Sequence, residues 1–469
     1  MNHRKFTVDQ FLGLLQPTAR VPLHLSPDGQ KLVVTRQQGK HARNLGSDLS
    51  YTATGIPKGA IGSRLFVVDT STGIAEEPFP SSATSWGAQW SPDGSLLATY
   101  VQYEGQACLG IWERASEQYR LYPHVLVRPF FGFEVPCWTS DSQSLVVKLI
   151  ASKHSTKDTV EKRNRAPATV FSFIPGVEQE KPALPGWADG YICDLAMIDV
   201  TTGEVRRLAE DWRVIGWKVA PDGRSVAVLR YTESDPKLQQ FYFDLMVLPL
   251  DHGKPRLLAQ HIPQDYGICF NWSPNSSSIA YTTQERGART QLFVVPTDGS
   301  LAPQEISNPK EELELLQGDV EAPRWSEDGQ YLYCLAQRGC WAFAAKRSVR
   351  RHIPLLLNHD VIGWLQSPTS GTLWTPHPNT LLYLTRNPHT KDTGLALTDM
   401  ESGESRLLTE FPMRAGCSPF EMEVSPERSS VYLFLERCDR AAEIWQLHDG
   451  YQQRKCLFSL NAQLKNTAL

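Results

Sequence analysis

His359-Asp360 is a pair whose types suit proton transfer, since imidazole titrates near neutral pH and a carboxylate can orient it. Neighbours along a strand point to opposite faces, however, so the two make no dyad by themselves. Glu134 and Tyr266 bring a second carboxyl and a phenol, and with His359 they are the candidate catalytic residues. A wider set mixes aromatics, carboxylates and cations: Trp86, Phe131, Glu134, Arg213, Asp265, Tyr266, Glu321, Asp360 and Arg414. That mixture suits a peptide or another polar organic ligand. No H-E-x-x-H or comparable spacing occurs among the histidines, and there is no Gly-rich phosphate loop, so neither metal nor cofactor is expected.

These residues share one feature, which is that each precedes or enters the first strand of a repeated unit. The unit opens with a short apolar strand and a Ser/Thr-Pro-Asp-Gly turn. Clear copies are Leu25-Ser26-Pro27-Asp28-Gly29, Trp90-Ser91-Pro92-Asp93-Gly94 and Val219-Ala220-Pro221-Asp222-Gly223. Variants follow at Trp272-Ser273-Pro274-Asn275 and Trp325-Ser326-Glu327-Asp328-Gly329, with weaker ones at Trp138-Thr139, Trp374-Thr375 and Val424-Ser425. Pro presets φ, Asp or Asn bonds the nearby backbone, and Gly supplies the positive φ that reverses the chain. The Trp before the turn is expected to pack between neighbouring sheets. An alternating strand comes next, then a second apolar strand ending in Gly, as in Leu65 to Gly73, Leu195 to Gly203, Leu292 to Gly299 and Leu395 to Gly403. This Gly closes a hairpin to a fourth strand.

Four strands per unit of about 50 residues predicts an all-β chain forming a single β-propeller of four-stranded blades. The turns begin at 26, 91, 139, 220, 273, 326, 375 and 425, which gives eight blades, or seven if the Trp374 unit is a decoy. The propeller is expected over 21–460, with insertions at 37–62 and 153–190 in the first and third units. Residues 1–20 form a lead-in whose Phe6 to Leu15 reads as a short helix, and 461–469 a polar tail. Ligands bind at one mouth of such a channel, and the strand entries place it opposite the Pro-Asp-Gly turns.

Composition narrows the function. A net charge of −4 on 469 residues offers no basic surface for nucleic acid. Neither a secretory leader nor an apolar run of spanning length is present, so no membrane is expected. The nine cysteines are scattered without C-x-x-C and several sit in apolar strands, so they read as reduced packing residues of a cytoplasmic protein.

The turn phrases, the hairpins and Phe11-Leu12-Gly13-Leu14-Leu15 ahead of Leu25 to Gly29 resemble the N-terminal propeller of the prolyl oligopeptidase superfamily. The acylaminoacyl-peptidase and dipeptidyl-peptidase-IV-like branches are nearest in pattern, together with the TolB propeller. The resemblance spans nearly the whole chain, and it implies a following α/β-hydrolase domain with a Ser-Asp-His triad. No Gly-x-Ser-x-Gly is found, since Gly416-Cys417-Ser418-Pro419-Phe420 lacks the last glycine. Peptidase activity is therefore not carried over. One branch also implies paired glutamates that hold a substrate amine. Glu76-Glu77 and Glu311-Glu312 lie in polar connectors and are expected to be solvated.

Two functions follow. One is a stand-alone peptidase-type propeller that binds a peptide, a protein partner such as a separately encoded hydrolase, or a polar organic ligand at its channel mouth. The alternative is a propeller recruited as an enzyme, a cyclase, isomerase, lyase or hydrolase acting on a small metabolite.

Overall fold

The repeated turns close as their residue types require. In the computed structural model, Ser26 Oγ donates to Asp28 Oδ1 (2.6 Å), Gln30 N donates to the same oxygen (3.1 Å), and Lys31 N donates to Ser26 Oγ (2.9 Å). The same web recurs at Ser91–Asp93, Thr139–Asp141, Ser273–Asn275 and Ser326–Asp328. Gly29, Gly94, Gly223 and Gly329 hold the positive φ, and Ser142, Ser276 and Arg428 adopt it where glycine is missing. The structure describes residues 15–17, 23–38, 60–80, 83–129, 134–151, 192–235, 238, 240–264, 268–285, 288, 290–307, 322–336, 339–345, 350–364, 379–411, 418–437, 440–448, 450–451 and 453–459.

These residues form antiparallel sheets of four strands in chain order, the first with a fifth strand. One sheet carries seven strands because Val205–Val219 is shared. Its first half pairs with Ile192–Asp199, and its second half pairs with Ser225–Asp235. With that strand assigned to both of the units it joins, the sheets of the described residues are labelled first to eighth in chain order. Alternate side chains of each strand enter two different cores. Leu32 and Val34 pack toward the last sheet with Tyr432, Phe434 and Ile444, whereas Val33 packs toward the second with Trp90 and Trp112. Each apolar cluster lies between consecutive sheets, and the cluster of Leu23, Leu32, Phe434 and Leu457 joins the last to the first. The ring therefore closes by packing, since among the described residues no strand is exchanged between these two sheets.

A polar clasp follows the same path around the rim. The outer strand of one sheet sends a side chain to a carbonyl in the third-to-fourth hairpin of the next. Tyr122 donates to the Val200 carbonyl and His124 Nε2 lies 2.8 Å from that of Gly203. Arg206 reaches Leu250, Arg256 reaches Thr297, and Arg351 reaches Met400 and Glu401. At the closure Lys455 Nζ reaches Ser71 O (3.2 Å).

The two turn types share one face: Thr70 N donates to Gln30 O (3.0 Å), and Val200 to Gln143 and Thr297 to Ser277 repeat the contact. Second-to-third connections leave from the opposite face. The described strand ends flanking both insertions, Gln38 and Ser63, and Ile150 and Ile192, lie there. The fourth sheet extends farthest on that side, with strands of 11 and 10 residues (Ser225–Asp235, Gln240–Pro249).

Two details depart from expectation. Leu15, read as the end of a helix, lies in the strand Leu15–Pro17, which pairs with Arg36 to Gln38. Backbone pairing along the first sheet edge overrides the amphipathic pattern, whose other residues lie outside the described set. In the seventh sheet the first strand, Asp360–Trp364, pairs only with the far end of Thr380–Arg386. Its Trp374 turn lies outside the described residues, and past this sheet Arg428 of the eighth pairs directly with Glu327 of the sixth. Among the described residues no helix is long and apolar enough to cross a membrane.

The hairpin aspartates make stability pH-dependent. Hydrogen bonds from the Ser71 hydroxyl and Thr72 amide hold the Asp69 carboxyl well below the usual range. The amide of Thr202 does the same for Asp199, and that of Ser402 for Asp399. A carboxyl depressed in the folded state lends stability that is complete above its unfolded pKa, about 3.9. That stability fades as pH falls toward the folded value. We expect the melting temperature to drop steeply below about pH 4, and Asp69→Asn to be less stable at pH 7 with a shallower acid decline. A variant with the wild-type pH profile would contradict this account of the hairpin.

Candidate functional site

The innermost strands carry chemistry on both sides. The Trp before the turn reaches back, Trp138 Nε1 donating to Gln89 O (3.0 Å), Trp272 to Lys218 O (2.9 Å) and Trp325 to Asn271 O (3.2 Å). The preceding residue faces forward and is polar in most sheets: His24, Gln89, Lys218, Asn271, Arg324 and Glu423. All but the half-buried Lys218 are buried. Lys218 Nζ donates to Asn271 Oδ1 (2.5 Å), Asn271 Nδ2 donates to Pro323 O (2.9 Å), and His24 Nδ1 accepts from Trp90 N (3.1 Å). Burial lowers the His24 pKa to about 4, so its imidazole is neutral at physiological pH. None of these six was singled out from the sequence, although their fixed place before the pre-turn residue was a readable signal.

A second concentration lies between the second and third sheets, toward the face opposite the turns. It unites two expected ligand residues, Trp86 and Glu134. Trp86 is 1% exposed, and its ring meets that of its cross-strand partner Tyr100 at 5.8 Å. Burial first, then the charges of Cys137 and Glu134, raise the Tyr100 phenol well above its ordinary pKa. Glu134 Oε1 accepts from Lys148 Nζ (2.8 Å), which also donates to Val214 O (2.8 Å), and both side chains are essentially unexposed. Glu134 is therefore held in a buried ion pair. The Trp86 indole N–H and Tyr100 hydroxyl have no hydrogen-bond partner among the described residues.

The other expected residues are dispersed. Arg213 is half-buried in the shared strand opposite Ile192. Asp360 is exposed opposite Arg386 at the start of the seventh sheet. His359 is half-buried, its Nδ1 3.2 Å from Leu357 O, and no dyad with Asp360 forms. Phe131, Asp265, Tyr266, Glu321 and Arg414 lie outside the described residues, as do Glu311 and Glu312. Glu77 is not simply solvated. It accepts from Arg64 Nε (2.6 Å) and Nη2, since it lies directly after the short outer strand Ala75–Glu76, beside the strand that carries Arg64. Cys193, Cys269, Cys334 and Cys340 are buried in the inter-sheet clusters. Burial pushes the Cys137 and Cys334 thiols up to about 12 and Cys193 to about 11, which suppresses the nucleophilic thiolate. Among the described residues no group of three or more His, Cys, Asp or Glu is placed to hold a metal ion.

No family profile matches the chain, and no curated protein matches it in sequence. Among solved structures it is similar to a prolyl endopeptidase at 11% identity and a TM-score of 0.48, over 91% of this chain and 55% of the other. The chain thus spans about half the length of that enzyme. It is also similar to an oligogalacturonate lyase of Vibrio parahaemolyticus (12% identity, TM-score 0.48, 93% of this chain and 92% of the other). The propeller domain of a trilobed protease from Pyrococcus furiosus is a third (11%, TM-score 0.45, 94% and 98%). These likenesses are of chain path alone.

Proposed function

We propose that the chain is an eight-bladed propeller that works by binding, taking a peptide or similarly polar organic ligand from the face opposite the turns. The count of eight follows from treating Val205–Val219 as the outer strand of one blade and the inner strand of the next. The observation that supports binding is the polar belt of His24, Gln89, Lys218, Asn271, Arg324 and Glu423 on the inner strands. A layer that only packs gains nothing from ionisable groups there, since apolar replacements of buried charges are often as stable or more so. The belt also has a charge order. Lys218 and Arg324 stand on the fourth and sixth sheets and Glu423 on the eighth, an arrangement that favours a ligand carrying both signs of charge, as a peptide does. Catalysis fits less well, because Lys148 neutralises Glu134 and the buried thiols are protonated.

Immobilised protein challenged with a tryptic digest of casein tests this reading, with retained peptides identified by mass spectrometry. A defined subset is expected to remain, with retention about tenfold weaker in Lys218→Met, a loss of about 1.4 kcal/mol. Retention no greater than a blank matrix would contradict the proposal.

A further inference from the structure

Building on the binding reading above, we propose that Trp86 and Tyr100 form a subsite for an oxygen acceptor, the amide carbonyl or carboxylate of a bound peptide-like ligand. An indole N–H only donates, and a tyrosine hydroxyl donates readily. Both groups are buried without a partner among the described residues. Buried donors in native proteins are nearly always paired, so two adjacent exceptions need an explanation. This fold does satisfy an inner-strand indole elsewhere, as Trp138, Trp217, Trp272 and Trp325 each donate to a carbonyl. Trp90 also lacks an acceptor among the described residues, but it packs on the sheet's other face against Trp112, away from Glu134 and Lys148.

The local backbone is shaped to hold the two rings together. A register shift follows Trp86, where Gly87 takes φ +69. A Cβ at Gly87 would stand 3.2 Å from the Tyr100 ring, tighter than ordinary contact. Thr99 Oγ1 donates to the Trp86 carbonyl (2.8 Å), so the Trp86 C=O is engaged while its side-chain donor is left over. Burial first, and then the neighbouring Cys137 and Glu134, disfavours ionisation of the phenol, and Tyr100 therefore keeps the proton it must donate. A carbonyl or carboxylate oxygen, with two lone pairs, complements two donors.

The test follows the indole resonance of Trp86 in 15N-tryptophan-labelled protein, assigned by its loss in Trp86→Phe. The probe is N-acetylglycine, which carries both an amide carbonyl and a carboxylate. A saturable shift is expected, with affinity about tenfold weaker in Tyr100→Phe, and ligand-free Tyr100→Phe is expected to melt no lower than wild type, because it removes an unpaired buried hydroxyl. The proposal is overturned by the absence of a shift, by a shift indifferent to Tyr100→Phe, or by a lowered melting temperature. The last is what a buried water already satisfying the hydroxyl predicts. Failure here alongside casein peptides retained by wild type and lost in Lys218→Met removes this subsite and leaves the binding reading standing. An intact indole response without peptide retention does the reverse.

Discussion

Lys148→Met is expected to destabilise the protein by about 3–5 kcal/mol, measured as a shift in urea midpoint. Lys148 and Glu134 pair at 2.8 Å with side chains 1% and 0% exposed, and no solvent is at hand to take over from the ammonium. Methionine keeps most of the volume, so the loss comes from removing the cation that neutralises a buried carboxylate. Glu134→Gln/Lys148→Met should recover most of the stability, since it removes both charges together. A buried carboxyl without its cation favours the neutral form, so the deficit of the single variant should be smaller at pH 5 than at pH 8. A single variant within about 0.5 kcal/mol of wild type, the range of an ordinary surface change, would contradict the ion pair.

Gly73→Ala should be similarly severe, and for a different reason. Gly73 has φ +74, and a Cβ there would overlap the Leu457 carbonyl oxygen across the junction of the last and first sheets. The left-handed backbone alone costs a non-glycine residue roughly 1–2 kcal/mol. The carbonyl belongs to backbone that cannot step aside without loosening the Lys455–Ser71 clasp and the cluster of Leu23, Phe434 and Leu457. We expect about 3–4 kcal/mol in total, strain plus the cost of forced packing. Gly450→Ala is the control. Its φ is +66 and nothing lies within 4 Å of its added Cβ, so it should incur only the strain. Equal urea midpoints for the two variants would mean that the ring is not closed at Gly73.

Much of this architecture was legible in the sequence because the turns are local. Ser26, Asp28 and Gly29 meet their partners within a few residues, so their types alone specify the reversal. Trp138, Trp272 and Trp325 were legible as inter-sheet packers, though not the carbonyls they reach, which belong to the preceding sheet. The polar belt was missed for a physical reason. In an isolated strand Gln89 and Asn271 look like an ordinary solvent-facing alternation, and only the ring buries both faces. Lys148 did leave a trace, as one cation in the apolar run Leu145-Val146-Val147-Lys148-Leu149-Ile150. Its partner Glu134, across a connection, is not readable from spacing. Glu77 was misjudged because the bidentate Arg64 comes from the neighbouring strand. The seventh sheet had the weakest turn signature, and there the first strand meets only the far end of its partner.

The binding claim is tested most directly by hydrogen–deuterium exchange, comparing the ligand-free chain with the chain saturated by a casein peptide it retains. The account predicts slower exchange in 85–90, 96–103, 134–138, 145–150 and 211–218, which lead from the face opposite the turns into the inner layer. It predicts no change at the Ser91–Gly94 and Ser273–Ser276 turns. Protection confined to those turns or to the outer strands, with the inner segments unchanged, would contradict it.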